Sequence, residues 1–144
     1  MQIVWGDMMA DPRPLKVLVV DDNELTRSLQ RLILRGGLYD VVGEAENAKT
    51  ALEMAKSLHP NIVLLDNNMP GGKGIDIVPE LRKTLPRAVI LMVTTQSEQD
   101  MIDAAIARGA SGFVIKPFNT QSLLNTIAEA SRHFVLADPA QPKY

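Results

Sequence analysis

The chain has 144 residues, a formal net charge of −2 and no cysteine. That length suits one domain with a real core, and the charge gives no global basic field for nucleic acid. The missing cysteines exclude disulfides, thiolate metal sites and cysteine nucleophiles, and fit a reducing cytoplasm.

An apolar fraction of 46% indicates a globular chain. No uninterrupted apolar run approaches the roughly 18 residues of a membrane span. The first fourteen residues carry Asp7 and Asp11 without a basic leader, so no secretory signal is expected. His59 and His133 lack metal-ligand spacing and fall near predicted helix ends, where structural roles are expected.

Residues 1–14 have no clear period and end in Asp11-Pro12-Arg13-Pro14; a flexible N-terminal arm is expected. Leu15 to Val20 reads as a first strand, ended by Asp21-Asp22. The helix that follows places Leu25, Leu29, Leu32 and Ile33 on one face, expected inward, and Gly36-Gly37 stops it. Tyr39 to Ala45 is a second strand, and Ala48, Ala51, Leu52 and Ala55 stripe a second helix that closes before Pro60. Ile62-Val63-Leu64-Leu65 is too short for a helix and suits a strand buried on both faces. Asp66 ends it, and Pro70 with nearby glycines forces a loop.

A third helix, Ile75 to Thr84, points Ile77, Val78 and Leu81 inward. Ala88 to Val93 is a fourth strand, ended by Thr94-Thr95. Ser97 is the expected N-cap of a fourth helix, with Glu98 and Asp100 in its first turn. Its inner face is Ile102, Ala105 and Ile106, and Met101, Ala104 and Arg108 form the outer one. Gly112 to Ile115 is a short fifth strand ended by Lys116-Pro117, and a last helix from Asn119 turns Leu124, Ile127 and Ala128 inward. Residues 15–136 thus form the expected domain, with 137–144 a tail or truncated linker.

Strand–helix alternation of this kind demands right-handed crossovers and a parallel sheet covered on both sides. The expected fold is α/β and flavodoxin-like, (βα)5, with strand order 2-1-3-4-5. In such a sheet the C-terminal strand ends share one edge, so Asp21, Asp22, Asp66, Thr94 and Lys116 converge on one crevice. Each alone could be an ordinary polar residue after a strand; the set is harder to explain that way. Two carboxylates about 4 Å apart repel by roughly 4 kcal/mol at an effective dielectric of 20. Three need a cation beyond one lysine, and oxygen-only donors suit Mg²⁺. Mg²⁺ and lysine beside a carboxylate suit phosphoryl transfer to that carboxylate.

Asp21-Asp22, Asp66 in LLDNNMPGGKG, Val93-Thr94 and GFVIKPF resemble the receiver domain of two-component response regulators, closest to the single-domain chemotaxis type. The likeness runs from Leu15 to Val135. It implies that Asp66 accepts a phosphoryl group from a sensor histidine kinase or a histidine phosphotransfer protein. It further implies Mg²⁺ on Asp21, Asp22, Asp66 and the Asn68 backbone carbonyl, with Lys116 on a phosphoryl oxygen and a cis peptide at Pro117. Thr94 and Phe113 become the switch pair, and the output surface to a downstream target lies on the fourth helix, fifth strand and fifth helix. Arg27, Gln30 and residues 117–119 are implied as kinase-docking positions.

Phe113 stands where many relatives carry Tyr, Thr95 where Ala is common, and Lys73 where an acid is frequent. Asn68 and Gln96 hold positions that tune dephosphorylation in this family. The expectation is a standalone cytoplasmic receiver that catalyses only its own phosphorylation and dephosphorylation, without nucleic-acid or membrane binding. Monomer and phosphorylation-dependent dimer both remain open. The alternatives are a receiver cut from a longer transcriptional regulator and a phosphorylation-independent scaffold. A haloacid-dehalogenase-like phosphatase fits less well, because its nucleophile follows the first strand and has a second Asp two residues on, where this chain has Asn68.

Overall fold

The computed structural model describes residues 14–95 and 98–136. The expected arm, the tail beyond 136, Gln96 and the expected cap Ser97 lie outside the described residues.

Five strands form one parallel sheet: β1 (Lys16–Val20), β2 (Asp40–Ala45), β3 (Ile62–Asp66), β4 (Val89–Thr94) and β5 (Gly112–Ile115). Their order is β2-β1-β3-β4-β5, the flavodoxin-like arrangement expected from the alternation. The helices are α1 (Glu24–Gly36), α2 (Ala48–Leu58), α3 (Gly74–Thr84), α4 (Gln99–Arg108), α5 (Thr120–Ala130) and the short α6 (Arg132–Leu136). None of the described helices is long and apolar enough to cross a membrane.

The central strands are apolar on both sides because two separate cores sandwich the sheet. One unites Leu18, Val63, Leu65, Ile90 and Met92 with Ala51, Ala55, Val78, Leu81 and Ala105 of α2, α3 and α4. The other unites Val17, Val19, Leu64, Leu91 and Val93 with Ile33, Leu34, Leu123 and Ile127 of α1 and α5. Alternate residues of each strand therefore serve opposite cores.

Helix ends follow local chemistry. Asn23, Asn47 and Asn119 cap α1, α2 and α5, each accepting from a backbone amide three residues on. Helix α4 starts from Glu98 without a side-chain cap. The Gly36-Gly37 stop operates as expected, yet the left-handed turn falls on Leu38, at φ 68°.

Two helix faces differ from expectation. Leu25, Leu29 and Leu32 of α1 face solvent, and Ile33, Leu34 and Gln30 go to the sheet. The helix carries two apolar stripes, and period alone cannot say which one packs. Gln30, expected at a docking surface, is buried, and its Oε1 has no hydrogen-bond partner. In α4, Met101 and Ala104 pack against the core with Ala105, and Ile106 is exposed. Helix α5 turns Leu123 and Ile127 inward, leaving Leu124 half-buried and Ala128 exposed.

Helix α3 approaches β3 closely at Gly74. A Cβ there would stand 2.2 Å from the Asp66 carbonyl oxygen and 3.0 Å from Leu65 Cγ. Backbone cannot yield as a flexible side chain can, so Gly74→Ala is expected to destabilise by about 1–3 kcal/mol in urea unfolding. Gly36→Ala, with nothing within 4 Å of its Cβ, should be neutral or slightly stabilising. Equal midpoints for the two variants would remove the close approach as a constraint.

Candidate functional site

The crevice is built from strand ends. The Asp21 amide makes the last bond from this end of β1 to β2, at Ala45 O, and the Asp21 Oδ1 then accepts from Asn23 N at 2.9 Å, which turns the chain toward α1. β3 ends in Asp66, whose Oδ1 accepts from the Asn68 amide at 3.3 Å. Asp21 and Asp66 are buried and Asp22 is exposed. One ligand oxygen from each of the three lies within 4.8 Å of the others.

Lys116 arrives from the end of β5. Its Nζ donates to Asp21 Oδ2 at 2.9 Å and lies 3.4 Å from Asp66 Oδ1. The Lys116 amide donates to Thr94 O at 2.8 Å, which ties the lysine to the end of β4. The Lys116–Pro117 peptide bond is cis. Thr94 is fully buried. Phe113 is half-buried, sits opposite Met92 in the ladder and packs on the core shared by α3 and α4.

Electrostatics here are unbalanced. Burial, reinforced by Asp21, pushes the Asp66 carboxyl above its usual range, and Lys116 with the Asn68 amide pulls it only part of the way back. For Lys116, burial lowers the ammonium, but the hydrogen bond to Asp21 and the two carboxylate charges outweigh it and raise the net value. Three carboxylates facing one ammonium leave an excess of negative charge with hard oxygen donors, two of the acids buried. That donor set fits a small divalent cation such as Mg²⁺, held by Asp21, Asp22 and Asp66.

Two supporting residues were not legible beforehand. Asn67 is buried; its Oδ1 accepts from Ile75 N at 3.0 Å and its carbonyl from Gly74 N at 3.1 Å. It closes the loop after Asp66 onto the start of α3. Inside this loop Asn68–Met69 pairs with Gly72–Lys73 in a two-residue hairpin. The Asn67-Asn68 pair was the available signal, since Asn readily bonds nearby backbone. Arg27, expected at a docking surface, instead donates from Nη1 to Asp21 O at 2.7 Å and pairs with Glu44. It holds the end of β1 in place.

A raised carboxyl pKa means the folded state binds that proton more tightly than the unfolded one. Stability contributed by this group is therefore lost as pH rises from the ordinary aspartate value through the folded one. Without divalent cations, Asp66→Asn is expected to melt higher than the natural chain at pH 7, the difference shrinking toward acid. Melting curves from pH 4 to 8 test this, and an Asn variant that melts lower throughout would refute the charge argument.

The comparisons with known proteins follow the same lines. A family described as the response regulator receiver domain matches residues 17–128. The chain is 36% identical over 117 residues to the chemotaxis protein CheY of Thermotoga maritima, covering 81% of this chain and 98% of that protein. It is 33% identical over 137 residues to the nitrate/nitrite response regulator NarL of Escherichia coli, covering 93% of this chain but 63% of that protein. Among solved structures, the chemotaxis protein CheY4 of Vibrio cholerae superposes with a TM-score of 0.77 at 31% identity, covering 81% of this chain and 98% of that one. With its acids, threonine and lysine gathered at one sheet edge, the chain belongs to the response regulator receiver domains of two-component systems.

Proposed function

We propose that this chain is a phosphoacceptor switch in which Asp66 takes a phosphoryl group from a phosphohistidine. The donor is a sensor histidine kinase or a histidine phosphotransfer protein. The observation that carries the reading is Lys116 Nζ, 2.9 Å from Asp21 and 3.4 Å from Asp66 within the three-carboxylate cluster.

Asp66 Oδ1 is held by Lys116 and the Asn68 amide, so the other oxygen is the nucleophile. Its bond to phosphorus forms as the phosphorus–nitrogen bond of the phosphohistidine breaks, and the leaving ring nitrogen takes up a proton. Mg²⁺ on Asp21, Asp22, Asp66 and the Asn68 backbone carbonyl would supply neutralisation of the phosphoryl oxygens. Lys116 donates to the same group and offsets Asp21 meanwhile. The product stays on the protein, so the chain catalyses only its own phosphorylation and dephosphorylation. Its setting is the cytoplasm.

Phosphorylation adds nearly two negative charges and three acceptor oxygens. It favours the arrangement in which the Thr94 hydroxyl and Lys116 close on those oxygens. Thr94 is buried at the end of β4, so its movement vacates space that Phe113 of β5 can enter. The surface of α4, β5 and α5 then changes for a downstream target protein, without contact to nucleic acid or membrane. On that surface Ile106 and Ile115 are large apolar residues exposed to solvent, and Met101 and Ala104 belong to the packed side. A second reading, favoured by the NarL match, keeps the same switch and couples it to an effector domain in a longer chain.

Acetyl phosphate with Mg²⁺ is expected to add one phosphoryl group to the natural chain, seen by intact mass, and none to Asp66→Asn. No adduct in either, with no beryllofluoride binding, would leave a phosphorylation-independent scaffold. Sustained turnover of small phosphate esters would point instead to a phosphatase. Beryllofluoride is further expected to change hydrogen exchange across α4 and β5 in the natural chain but much less in Thr94→Ala. Equal changes in both would remove Thr94 from the switch.

A further inference from the structure

Among the described residues the methionines are Met54, Met69, Met92 and Met101. Met69 and Met92 are buried, and Met54 is half-buried beside Gly43 of the edge strand β2. Met101 is half-buried too, but its sulfur reaches the site: Sδ accepts from Asn67 Nδ2 at 3.6 Å. Asn67 directly follows Asp66, and its Oδ1 and carbonyl hold Ile75 N and Gly74 N. One residue thus joins the loop behind Asp66 to the start of α3 and, through sulfur, to α4.

The two ends of α4 are held unequally. At the C-terminal end, Arg82 of α3 donates to Gly109 O from Nε at 3.1 Å and from Nη2 at 2.8 Å, and Arg108 pairs with Asp76 at 3.5 Å. At the N-terminal end Glu98 gives no side-chain cap, and Glu98, Gln99 and Asp100 are all exposed. Ala105 is the helix's one buried residue. Met101 therefore packs on the core at the end of α4 that opens most easily, where a small oxidant reaches the sulfur as the first turn frays.

We infer that Met101 is an oxidation site through which a hydroperoxide weakens phosphoryl uptake at Asp66, the effect on uptake resting on the function proposed above. The thioether sulfur attacks the outer oxygen of the hydroperoxide. An S–O bond forms, the O–O bond breaks, and the sulfur gives up two electrons. The proton passes to the departing oxygen, so the hydroperoxide leaves as an alcohol, or as water when it is hydrogen peroxide. The sulfoxide can be reduced again, which makes the modification reversible. A thioether is a weak acceptor that suits apolar packing, whereas a sulfoxide oxygen is strongly polar and costly to bury without partners. The easiest relief is for the first turn of α4 to rotate away from the core, because the far end is pinned. The Asn67 amide then loses the sulfur, and the loop behind Asp66 is held by fewer contacts.

Hydrogen peroxide titrated onto the full chain, followed by peptide mapping, tests the site. Met101 is expected to oxidise ahead of Met69 and Met92. Hydrogen exchange should then rise in the first turn of α4 and across residues 67–74. The rate of phosphoryl uptake from acetyl phosphate should fall about tenfold, less than the roughly hundredfold that a 1 Å misplacement can cost. Met101→Leu keeps the apolar packing without an oxidisable sulfur and should make exchange and uptake indifferent to peroxide. Met101→Gln, which brings a polar amide with no oxidant, should reproduce both changes. Met101 oxidising no faster than Met69 and Met92 would overturn the inference. So would an oxidised chain with unchanged exchange or unchanged uptake, or peroxide effects that survive Met101→Leu. An untreated chain that takes up no phosphoryl group defeats the proposed function instead, and the exchange measurements alone then decide whether Met101 is coupled to the loop.

Discussion

Lys116 reaches from the end of β5 past β4 to carboxylates at the ends of β3 and β1. A buried acid beside another buried acid is electrostatically costly, and here the compensating cation comes from a strand far along the chain. The side chains can meet only if β1, β3, β4 and β5 run parallel and end at one edge in register. Asp66 faces Val93, Thr94 faces Ile115, and Val20 faces Leu65 in the ladders that set this alignment. The charge cluster is therefore a consequence of the fold, and an error in sheet order would leave each acid without its partner.

The surrounding residues serve that edge. Arg27 binds the Asp21 carbonyl, Asn67 ties the loop after Asp66 to α3, and Gly74 lets α3 press against the Asp66 backbone. None of the three residues needs to touch a bound group to matter. Each limits how far a carboxylate can drift, and a group held to a fraction of an ångström loses little on reaching a reactive geometry.

Legibility from sequence followed the physics of each element. Strands buried on both faces, such as Ile62-Val63-Leu64-Leu65, show as uninterrupted apolar runs, and the acid, hydroxyl or lysine after each run names its own place. That made the sheet order and Asp21, Asp22, Asp66, Thr94 and Lys116 readable in advance. Helix faces were less readable. In α1 the leucines dominate the apolar count, yet Ile33 and Leu34 take the core and carry Gln30 in with them. In α4, alanine and methionine on two sides gave no strong stripe, and the packed side proved to include Met101 and Ala104. The roles of Asn67 and Arg27 depend on backbone groups distant in sequence, which no local pattern encodes.

The site's composition sets opposing requirements. Burial raises the Asp66 pKa and so works against the anionic form that the proposed phosphoryl acceptor requires, whereas exposure would let water compete with a bound group. Lys116 and the Asn68 amide restore part of the anionic character without opening the crevice, and a divalent cation would add the remainder. The metal-free state is consequently left with uncompensated charge. Stability is conceded there by construction, as is usual where function needs groups that folding alone would not gather. Any ligand that brings positive charge to this edge then binds the folded chain and not the unfolded one. Folding stability rises when it does.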